Sequence, residues 1–223
     1  MGKILTNKNI FILLTIFFLG IMSFVYYKPS NNKIITKESS LNSDITGPTK
    51  TALFAGGCFW SVEYDFEKVA GVVKVTTGYA GGKTENPTYR DYVTGGHREV
   101  VEVTYDPEKV SYDNLVEYAI KHSDPTDAEG SFYDRGIEYA PAVYYETNEE
   151  KKIAEEIVTL INNKKVYPKP IVTLVIPRPV FWPAEEYHQD YSKKNPEQYE
   201  LYRNASGRSV FIEKYWGENK DIF

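Results

Sequence analysis

The sequence predicts an α+β domain with a central mixed β-sheet flanked by helices. Segments with the two-residue alternation of half-buried strands are interleaved with segments in which apolar residues recur at helical spacing. Several predicted strands are apolar on one face only, which favours a mixed sheet over a doubly wound parallel sheet covered on both faces. Residues 51–223 contain no internal repeat, so we expect a single domain there.

The first half of this domain alternates between strand and helix. A strand is predicted at 51–55, and a helix follows because Phe59, Val62, Phe66 and Val69 form one apolar stripe. The next predicted elements are a strand at 72–77, a glycine-rich loop at 78–82, a turn at 86–90 and a half-buried strand at 99–105.

The second half begins with a helix that Ser111 caps and that presents Leu115, Val116 and Ile120 on one face. A polar stretch at 122–138 follows, and a loop of this length within a compact domain is usually functional. The remaining predicted elements are a strand at 142–145, a helix capped by Asn148, a strand at 171–176, a proline-rich interruption at 177–183 and a short helix at 184–193.

The only cysteine of the 223-residue chain, Cys58, follows two glycines where a predicted strand gives way to a predicted helix. Unpaired backbone N–H groups and the positive end of the helix dipole both stabilise a thiolate at such a position. We therefore interpret Cys58 as a reactive nucleophile, with an inert core thiol as the alternative. A single cysteine also excludes a disulfide within the chain.

Residues 10–26 form an uncharged apolar stretch that follows Lys3 and Lys8. A helix of this length spans about 25 Å, the short end of a membrane crossing. No small residues mark a cleavage position, so the pattern favours an uncleaved single-pass anchor with a cytoplasmic N-terminus over a cleaved signal peptide of a secreted protein. The expected organisation is a membrane anchor at 1–27, a polar tether at 28–50 and an extracytoplasmic domain at 51–223.

Charge and histidine placement argue against two kinds of partner. The chain has a net charge of −5, and residues 1–50 carry six lysines and two acidic residues, a net +4 that leaves −9 for residues 51–223. Such an acidic domain argues against nucleic acid as a partner. His97, His122 and His188 do not match a metal-ligand spacing, so we predict no metal site.

Several polar residues outside the periodic segments could support chemistry, although each has an ordinary structural interpretation when taken alone. Tyr89 and Tyr139 are phenol donors on loops and would usually only pack. Glu99, at the start of a strand, would usually pair with a neighbouring arginine or solvent, but burial near the thiol would raise its pKa and make it an acid. Asp134 would usually be a turn residue, and His188 would usually belong to a surface cluster.

Taken together, these residues belong to an ordered series of motifs. In chain order the motifs are Gly57-Cys58-Phe59-Trp60, Gly78-Tyr79-Ala80-Gly81-Gly82, Asn86-Pro87-Thr88-Tyr89, Gly96-His97-Arg98-Glu99, Tyr105-Asp106-Pro107, His122-Ser123-Asp124-Pro125, Asp134-Arg135-Gly136 with Tyr139, and Phe181-Trp182-Pro183 through His188-Gln189-Asp190-Tyr191. The series resembles the peptide methionine sulfoxide reductase A family over about residues 51–195. A less specific resemblance continues from Ser206-Gly207-Arg208 to Trp216-Gly217.

The resemblance implies an α+β oxidoreductase that reduces the S epimer of methionine sulfoxide, free or in proteins, and so repairs oxidative damage. By this resemblance Cys58 would be the nucleophile and would become a sulfenic acid. Glu99 would donate a proton to the sulfoxide oxygen, which Tyr89 and Tyr139 would hold. The remaining matched residues would bind the substrate: Phe59 and Trp60 by forming an apolar pocket for its methyl group, and Asp134 by shaping the site.

The chain also departs from the family pattern. It lacks the second cysteine that many members carry near the C-terminus, so a sulfenic acid on Cys58 would need an outside thiol, thioredoxin-like or glutaredoxin-like. Ser61 replaces a common glycine, and Ala140 replaces a common arginine, which affects how the substrate docks.

The resemblance implies no metal and no organic cofactor, and we expect a monomer. Two other classes remain open: a membrane-anchored cysteine acyl-transferase or transpeptidase, which requires a histidine beside the thiol, and a binding domain in which the thiol only packs.

Overall fold

A six-stranded mixed sheet forms the centre of the protein, whose structure is a computed structural model that describes residues 47–217. Its strands follow one another across the sheet in the order β7-β6-β1-β3-β2-β8, and a two-stranded hairpin, β4-β5, lies apart from it. The strands are β1 Lys50–Ala55, β2 Val72–Ala80, β3 Arg98–Tyr105, β4 Gly130–Ser131, β5 Asp134–Arg135, β6 Ala142–Tyr145, β7 Leu174–Pro177 and β8 Phe181–Pro183.

The sheet is mixed because one of its strand pairs is parallel. β6 and β7 run parallel, whereas β1 is antiparallel to β3 and β6, and β2 is antiparallel to β3 and β8. The helix between β6 and β7 makes the crossover that a parallel pair requires. The sequence-based prediction of a mixed sheet is confirmed.

Six α-helices surround the sheet within the described residues. They are α1 Phe59–Phe66, α2 Tyr112–Lys121, α3 Asn148–Asn163, α4 Tyr191–Lys194, α5 Pro196–Ser206 and α6 Arg208–Trp216, and a 3₁₀ turn covers Ile137–Tyr139. The N-cap of α3 is Thr147, not the predicted Asn148, because the Thr147 hydroxyl accepts the Glu150 N–H while the Glu150 carboxylate accepts the Thr147 N–H.

The core divides between the two faces of the sheet. On one face Phe54 stacks on Phe66 of α1, with ring centroids 5.1 Å apart, in a large cluster that also contains the apolar sides of α2 and α3. Leu53, Ala55 and Val100 belong to a smaller cluster on the other face. Adjacent residues of β1 therefore enter different clusters, as the two-residue alternation of a strand requires.

Two predicted boundaries around β2 and β8 were wrong. β2 continues through 78–80, where the sequence predicts a loop. Gly78 lies so close to β8 that a Cβ there would collide with the Phe181 ring and the Trp182 carbonyl. The glycine therefore permits close strand packing rather than a turn. β8 itself lies in the segment that we had interpreted as interrupted by prolines, and its Pro183 is tolerated because β8 is an edge strand.

The remaining differences lie in the second half of the domain. The predicted helix at 184–193 is mostly turn, and α4 begins only after Asp190, whose φ of 52° is left-handed. The strand predicted from 171 begins at Leu174, because the Val172 N–H pairs with the Pro125 carbonyl outside the sheet. Helices α5 and α6 were not predicted. Within residues 47–217 no helix is both long and apolar enough to cross a membrane, and the predicted anchor at 10–26 lies outside the described residues.

Candidate active site

The turn between β1 and α1 contains Gly56 and Gly57 and is hydrogen-bonded by a buried arginine, Arg208. Gly57 has a φ of 100°, and a Cβ there would lie 2.6 Å from Nη2 of Arg208. Arg208, only 1% exposed, donates from Nη2 to the Gly56 carbonyl at 2.8 Å and from Nη1 to the His122 carbonyl. The left-handed φ and the close guanidinium together require glycine at position 57. This turn sets where Cys58 stands.

Cys58 occupies the N-cap of α1, as predicted, and its carbonyl accepts the N–H groups of Ser61 and Val62 at 3.1 and 3.3 Å. The side chain is buried, with 6% exposed. Burial raises the pKa of the thiol well above its ordinary value, and the carboxylates of Glu99 and Asp134 raise it further. The expectation that the helix N-terminus would favour a thiolate is therefore wrong for the resting protein, because loss of hydration outweighs the backbone dipoles.

Glu99 lies beside the first turn of α1 and is 2% exposed. Its Oε2 accepts the Phe59 N–H at 2.9 Å, and its Oε1 accepts the hydroxyl of Tyr92 at 2.9 Å. Burial raises the pKa of Glu99 to about 8, although both hydrogen bonds oppose the shift. The carboxyl is thus mostly protonated at pH 7, and one of its two partners, Phe59, directly follows Cys58. The alternative of a solvated strand-end carboxylate is excluded.

Three tyrosines surround this carboxyl group. The Tyr92 hydroxyl, which bonds Glu99, also lies 3.4 Å from that of Tyr139, and the Tyr89 ring stacks on the Tyr92 ring at 5.7 Å. Tyr89 is 41% exposed, and its backbone is fixed by a 3.0 Å hydrogen bond to Glu185. Burial, followed by the Glu99 charge, raises the pKa of both Tyr89 and Tyr139. Both phenols therefore remain neutral donors at pH 7.

An aromatic wall stands opposite the polar groups. The Trp60 ring stacks on Tyr191 at 3.7 Å with an interplanar angle of 8°, and its Nε1 donates to Nδ1 of His188 at 3.1 Å. The imidazole in turn contacts the Phe59 ring, at 5.0 Å between centroids, and the Tyr89 ring at 4.5 Å. His188 is 2% exposed, so its interpretation as part of a surface cluster was wrong.

Asp134 and α5 close the remaining side. The Tyr202 hydroxyl donates to Oδ2 of Asp134, and the nearby phenol opposes the rise in the pKa of the Cys58 thiol. The Tyr202 ring meets the edge of Trp60 at 6.2 Å and 88°. Asp134 and Tyr202 therefore both influence the thiol, which the position of Asp134 in a polar loop did not suggest.

The structure thus brings the six other predicted site residues around the Cys58 thiol. Three further residues were missed: Tyr92, His188 and Tyr202. The Trp-Pro to His-Gln-Asp-Tyr motif was a usable signal for His188, but no local pattern distinguishes Tyr92 or Tyr202 among 19 tyrosines.

The acyl-transferase interpretation requires an imidazole base on the thiol. His188 instead uses Nδ1 to accept from Trp60, and the side-chain groups that act on Cys58 are Glu99, Asp134 and Tyr202. Nothing in the arrangement supports that alternative. Within residues 47–217 no cluster of three or more His, Cys, Asp or Glu side chains could hold a metal ion.

Two of the three departures from the family pattern, Ser61 and Ala140, lie next to the site. Ser61 is fully buried on α1, and Ala140 is 4% exposed at the end of the 3₁₀ turn that carries Tyr139. Alanine at this position offers only a methyl group to the site.

Comparison with known proteins gives a consistent result. Residues 50–220 match the family model for peptide methionine sulfoxide reductase. Peptide methionine sulfoxide reductase MsrA 2 of Rhizobium meliloti is 49% identical over 167 residues, which cover 75% of this chain and 83% of that protein. The MsrA/MsrB protein of Vibrio cholerae is 44% identical over 188 residues, 83% of this chain but 50% of that protein, so this chain spans about half of its length.

Solved structures agree with the sequence relatives. Methionine sulfoxide reductase A of Corynebacterium diphtheriae has a TM-score of 0.59 and 34% identity, covering 66% of this chain and 76% of that one. Mxr1 of Saccharomyces cerevisiae in reduced form has a TM-score of 0.61 and 30% identity, covering 67% of this chain and 87% of that one. The chain therefore belongs to the peptide methionine sulfoxide reductase A family.

Proposed function

Because the chain belongs to the peptide methionine sulfoxide reductase A family, we propose that it reduces the S epimer of methionine sulfoxide to methionine, in proteins or as the free amino acid. The observation that carries the proposal is the pairing of Cys58 with a protonated Glu99, whose carboxyl bonds the N–H of the residue that follows the cysteine. A nucleophile and an acid at one sulfur are what sulfoxide reduction requires.

The reaction follows from the chemistry of these groups. The sulfur of a sulfoxide becomes electrophilic when its oxygen is protonated or strongly hydrogen-bonded. Glu99 donates the proton, and the neutral phenols of Tyr89 and Tyr139 hold the oxygen without adding charge. The Cys58 sulfur attacks, two electrons pass from it to the substrate sulfur, and the oxygen ends on Cys58 as a sulfenic acid while methionine leaves.

The selectivity for one epimer rests on three different walls around the substrate sulfur. The oxygen faces Glu99 and the phenols, the methyl group packs against Phe59 and Trp60, and the sulfur faces Cys58. In the other epimer the oxygen and a carbon substituent exchange places, so the oxygen would meet the apolar rings and lose its donors.

The experiment that tests this function compares the two epimers of a methionine sulfoxide peptide with the full-length chain in mild detergent and an excess of a small dithiol. We expect turnover of the S epimer only, and none with Cys58→Ser. Failure to reduce either epimer, or equal reduction of both, would contradict the proposal.

Recycling of the oxidised enzyme needs a thiol from outside, since Cys58 is the only cysteine. A thioredoxin-like or glutaredoxin-like donor would reduce the sulfenic acid through a mixed disulfide and release water. A dithiol donor resolves that mixed disulfide itself. No metal or organic cofactor takes part in either half of this cycle.

The proposed location is the outer side of a cytoplasmic membrane, where the enzyme would repair oxidised surface proteins. The uncharged segment 10–26 behind Lys3 and Lys8 supports this location, and the polar segment 28–50 would keep the domain near the membrane. Cell fractionation with protease treatment of intact cells tests it. Recovery of the uncleaved chain in the cytosol would contradict the proposed location and leave the chemistry unaffected.

A further inference from the structure

Glu63, on α1, is a buried carboxyl group that the proposed reaction does not use. It is 1% exposed, although carboxylates are seldom buried without a cationic partner. Burial raises its pKa to about 8, and the nearby acidic side chains of Glu67 and Asp190 act in the same direction. The group is therefore mostly protonated at pH 7, and an ion pair does not account for its presence in the interior.

The hydrogen bond of Glu63 goes to a backbone N–H group just before α4. Its Oε1 accepts the Asp190 N–H at 3.0 Å, whereas its Oε2 is buried and makes no hydrogen bond within residues 47–217. Asp190 has a φ of 52°, a left-handed conformation that residues with a side chain seldom adopt. The buried acceptor therefore stabilises a turn conformation that the chain would otherwise avoid.

The same turn carries the two aromatic side chains that hold Trp60. Tyr191, directly after Asp190, stacks on the indole ring with centroids 3.7 Å apart and an interplanar angle of 8°. His188, two residues before Asp190, accepts the indole N–H on Nδ1 at 3.1 Å. Both the face and the polar edge of the indole are thus set by residues of the turn that Glu63 holds.

Glu63 and Trp60 are also neighbours along α1. Residues three apart in sequence lie close together on one side of a helix, so α1 meets the turn at 188–191 at two adjacent points. One contact is made by the indole and the other by the carboxyl group. A shift of the turn would have to break a buried hydrogen bond as well as the aromatic stack.

The other tie between these two segments is an exposed ion pair. Lys193 of α4 bonds the carboxylate of Glu67, the residue that follows α1, and that of Asp190, each at 2.6 Å, and the lysine side chain is 60% exposed. Ion pairs of this kind contribute little to stability and are screened by salt. The buried hydrogen bond is therefore the contact that fixes the turn, and the ion pair provides a matched control.

We propose that Glu63 is a positioning residue for the reductase reaction, which holds the turn at 188–191 through the Asp190 N–H and so fixes the Trp60 ring against which the substrate methyl group packs. The inference rests on the proposed function. Because Glu63 acts through Trp60, its loss should weaken substrate binding and leave the chemical step nearly unchanged.

Three variants of the full-length chain separate this role from general stabilisation. Glu63→Met removes the acceptor at nearly constant side-chain length, and it leaves the Asp190 N–H without its partner. Glu63→Gln keeps an oxygen acceptor and resembles the neutral carboxyl group. Glu67→Gln, the matched control, weakens the exposed ion pair to Lys193 on the same turn.

Two measurements are made in mild detergent, after circular dichroism has checked the fold of each variant. The first gives kcat and KM for the S epimer of a methionine sulfoxide peptide with an excess of a small dithiol. The second follows hydrogen exchange of the indole N–H groups by NMR of protein labelled with ¹⁵N-tryptophan, in which Trp60→Phe assigns the Trp60 signal. Trp216, whose indole N–H bonds the Tyr167 hydroxyl at 2.7 Å, is the internal reference.

We expect Glu63→Met to raise KM about tenfold with kcat within about twofold of the wild type, which is the size of effect that loss of one good hydrogen bond gives. Exchange of the Trp60 indole N–H should accelerate by a similar factor while that of Trp216 does not change. Glu63→Gln and Glu67→Gln should both stay within about twofold of the wild type in KM and in exchange.

An unchanged KM or an unchanged Trp60 exchange rate in folded Glu63→Met would overturn the proposal, as would equal acceleration at Trp216 or failure of Glu63→Gln to retain wild-type behaviour. If Glu63→Met does not fold, the comparison is made in an Asp190→Gly background, where positive φ carries no steric cost, and the same changes relative to that background are expected. Absence of turnover in the unmodified chain would contradict the reductase function, while the exchange rates would still decide whether Glu63 positions Trp60.

Discussion

Replacement of Glu99 by Gln should change the pH dependence of stability in a way that reports the protonation state of the proposed acid. In the folded protein, burial raises the pKa of Glu99 from an ordinary 4.5 to about 8. The folded state therefore keeps a proton that the unfolded chain has already released. The resulting loss of stability begins above pH 4.5, grows as the pH rises, and is complete once the pH exceeds the folded pKa.

The size of the effect follows from the two pKa values. Each pKa unit corresponds to about 1.36 kcal/mol. Ionisation of Glu99 in the unfolded chain therefore lowers the free energy of unfolding of the wild type by about 1 kcal/mol at pH 5 and by about 4 kcal/mol at pH 8. The Gln variant has no such dependence. Its free energy of unfolding should therefore rise relative to that of the wild type by about 3 kcal/mol between these two pH values. Glu63, also raised to about 8 by burial, contributes equally to both proteins and cancels.

The assay is urea denaturation of both proteins at several pH values between 5 and 8, followed by tryptophan fluorescence. The two proteins also differ in free energy of unfolding by a constant amount, because Glu99 accepts hydrogen bonds from Phe59 and Tyr92 and the single amide oxygen of Gln can accept only one of them well. The slope of the difference does not depend on that offset. Parallel curves for the two proteins would refute the conclusion that Glu99 is neutral at pH 7, and with it the proposed role as proton donor.

Three further substitutions test the turn and the aromatic wall. Arg208→Met should lower the free energy of unfolding by about 3 kcal/mol, because the Gly56 carbonyl loses a charged partner; a urea midpoint equal to that of the wild type would contradict it. Gly57→Ala should cost about 2 kcal/mol, since its φ of 100° disfavours a side chain and its Cβ would meet that guanidinium, and thermal melting measures the loss. Trp60→Phe removes the hydrogen bond to His188. Steady-state kinetics should then show a KM raised about tenfold with kcat little changed, as expected for loss of uniform binding.

The parts of the site that could be predicted from the sequence are those set by local pattern. The strand, two glycines, the cysteine and an apolar helical stripe all lie within residues 51–69, so Cys58 could be placed at the start of α1 without knowledge of the rest of the fold. The strand that carries Glu99 was found in the same way, from two-residue alternation, whereas the role of Glu99 followed only from the family resemblance.

Features that depend on distant contacts could not be predicted. Tyr202 lies near the thiol because Arg203 bonds Asp65, a partner 138 residues earlier in the chain. The weak apolar stripe of α6, whose Val210 is 72% exposed, gave no sign of a helix that carries a fully buried arginine. The resting state of the thiol was also mispredicted, because a helix N-terminus is a local feature whereas burial is a property of the whole fold.

Burial has two opposite consequences for the chemistry proposed at this site. Loss of hydration converts Glu99 into a neutral acid, which the sulfoxide oxygen requires, but the same loss keeps Cys58 a thiol, which attack on sulfur does not allow. A fully hydrated site would reverse both effects. The Tyr202 hydroxyl and the backbone at the start of α1 oppose the shift of the Cys58 pKa without overcoming it. The resting site therefore holds a neutral acid beside a neutral thiol, and activation of the nucleophile has to accompany the binding of the substrate.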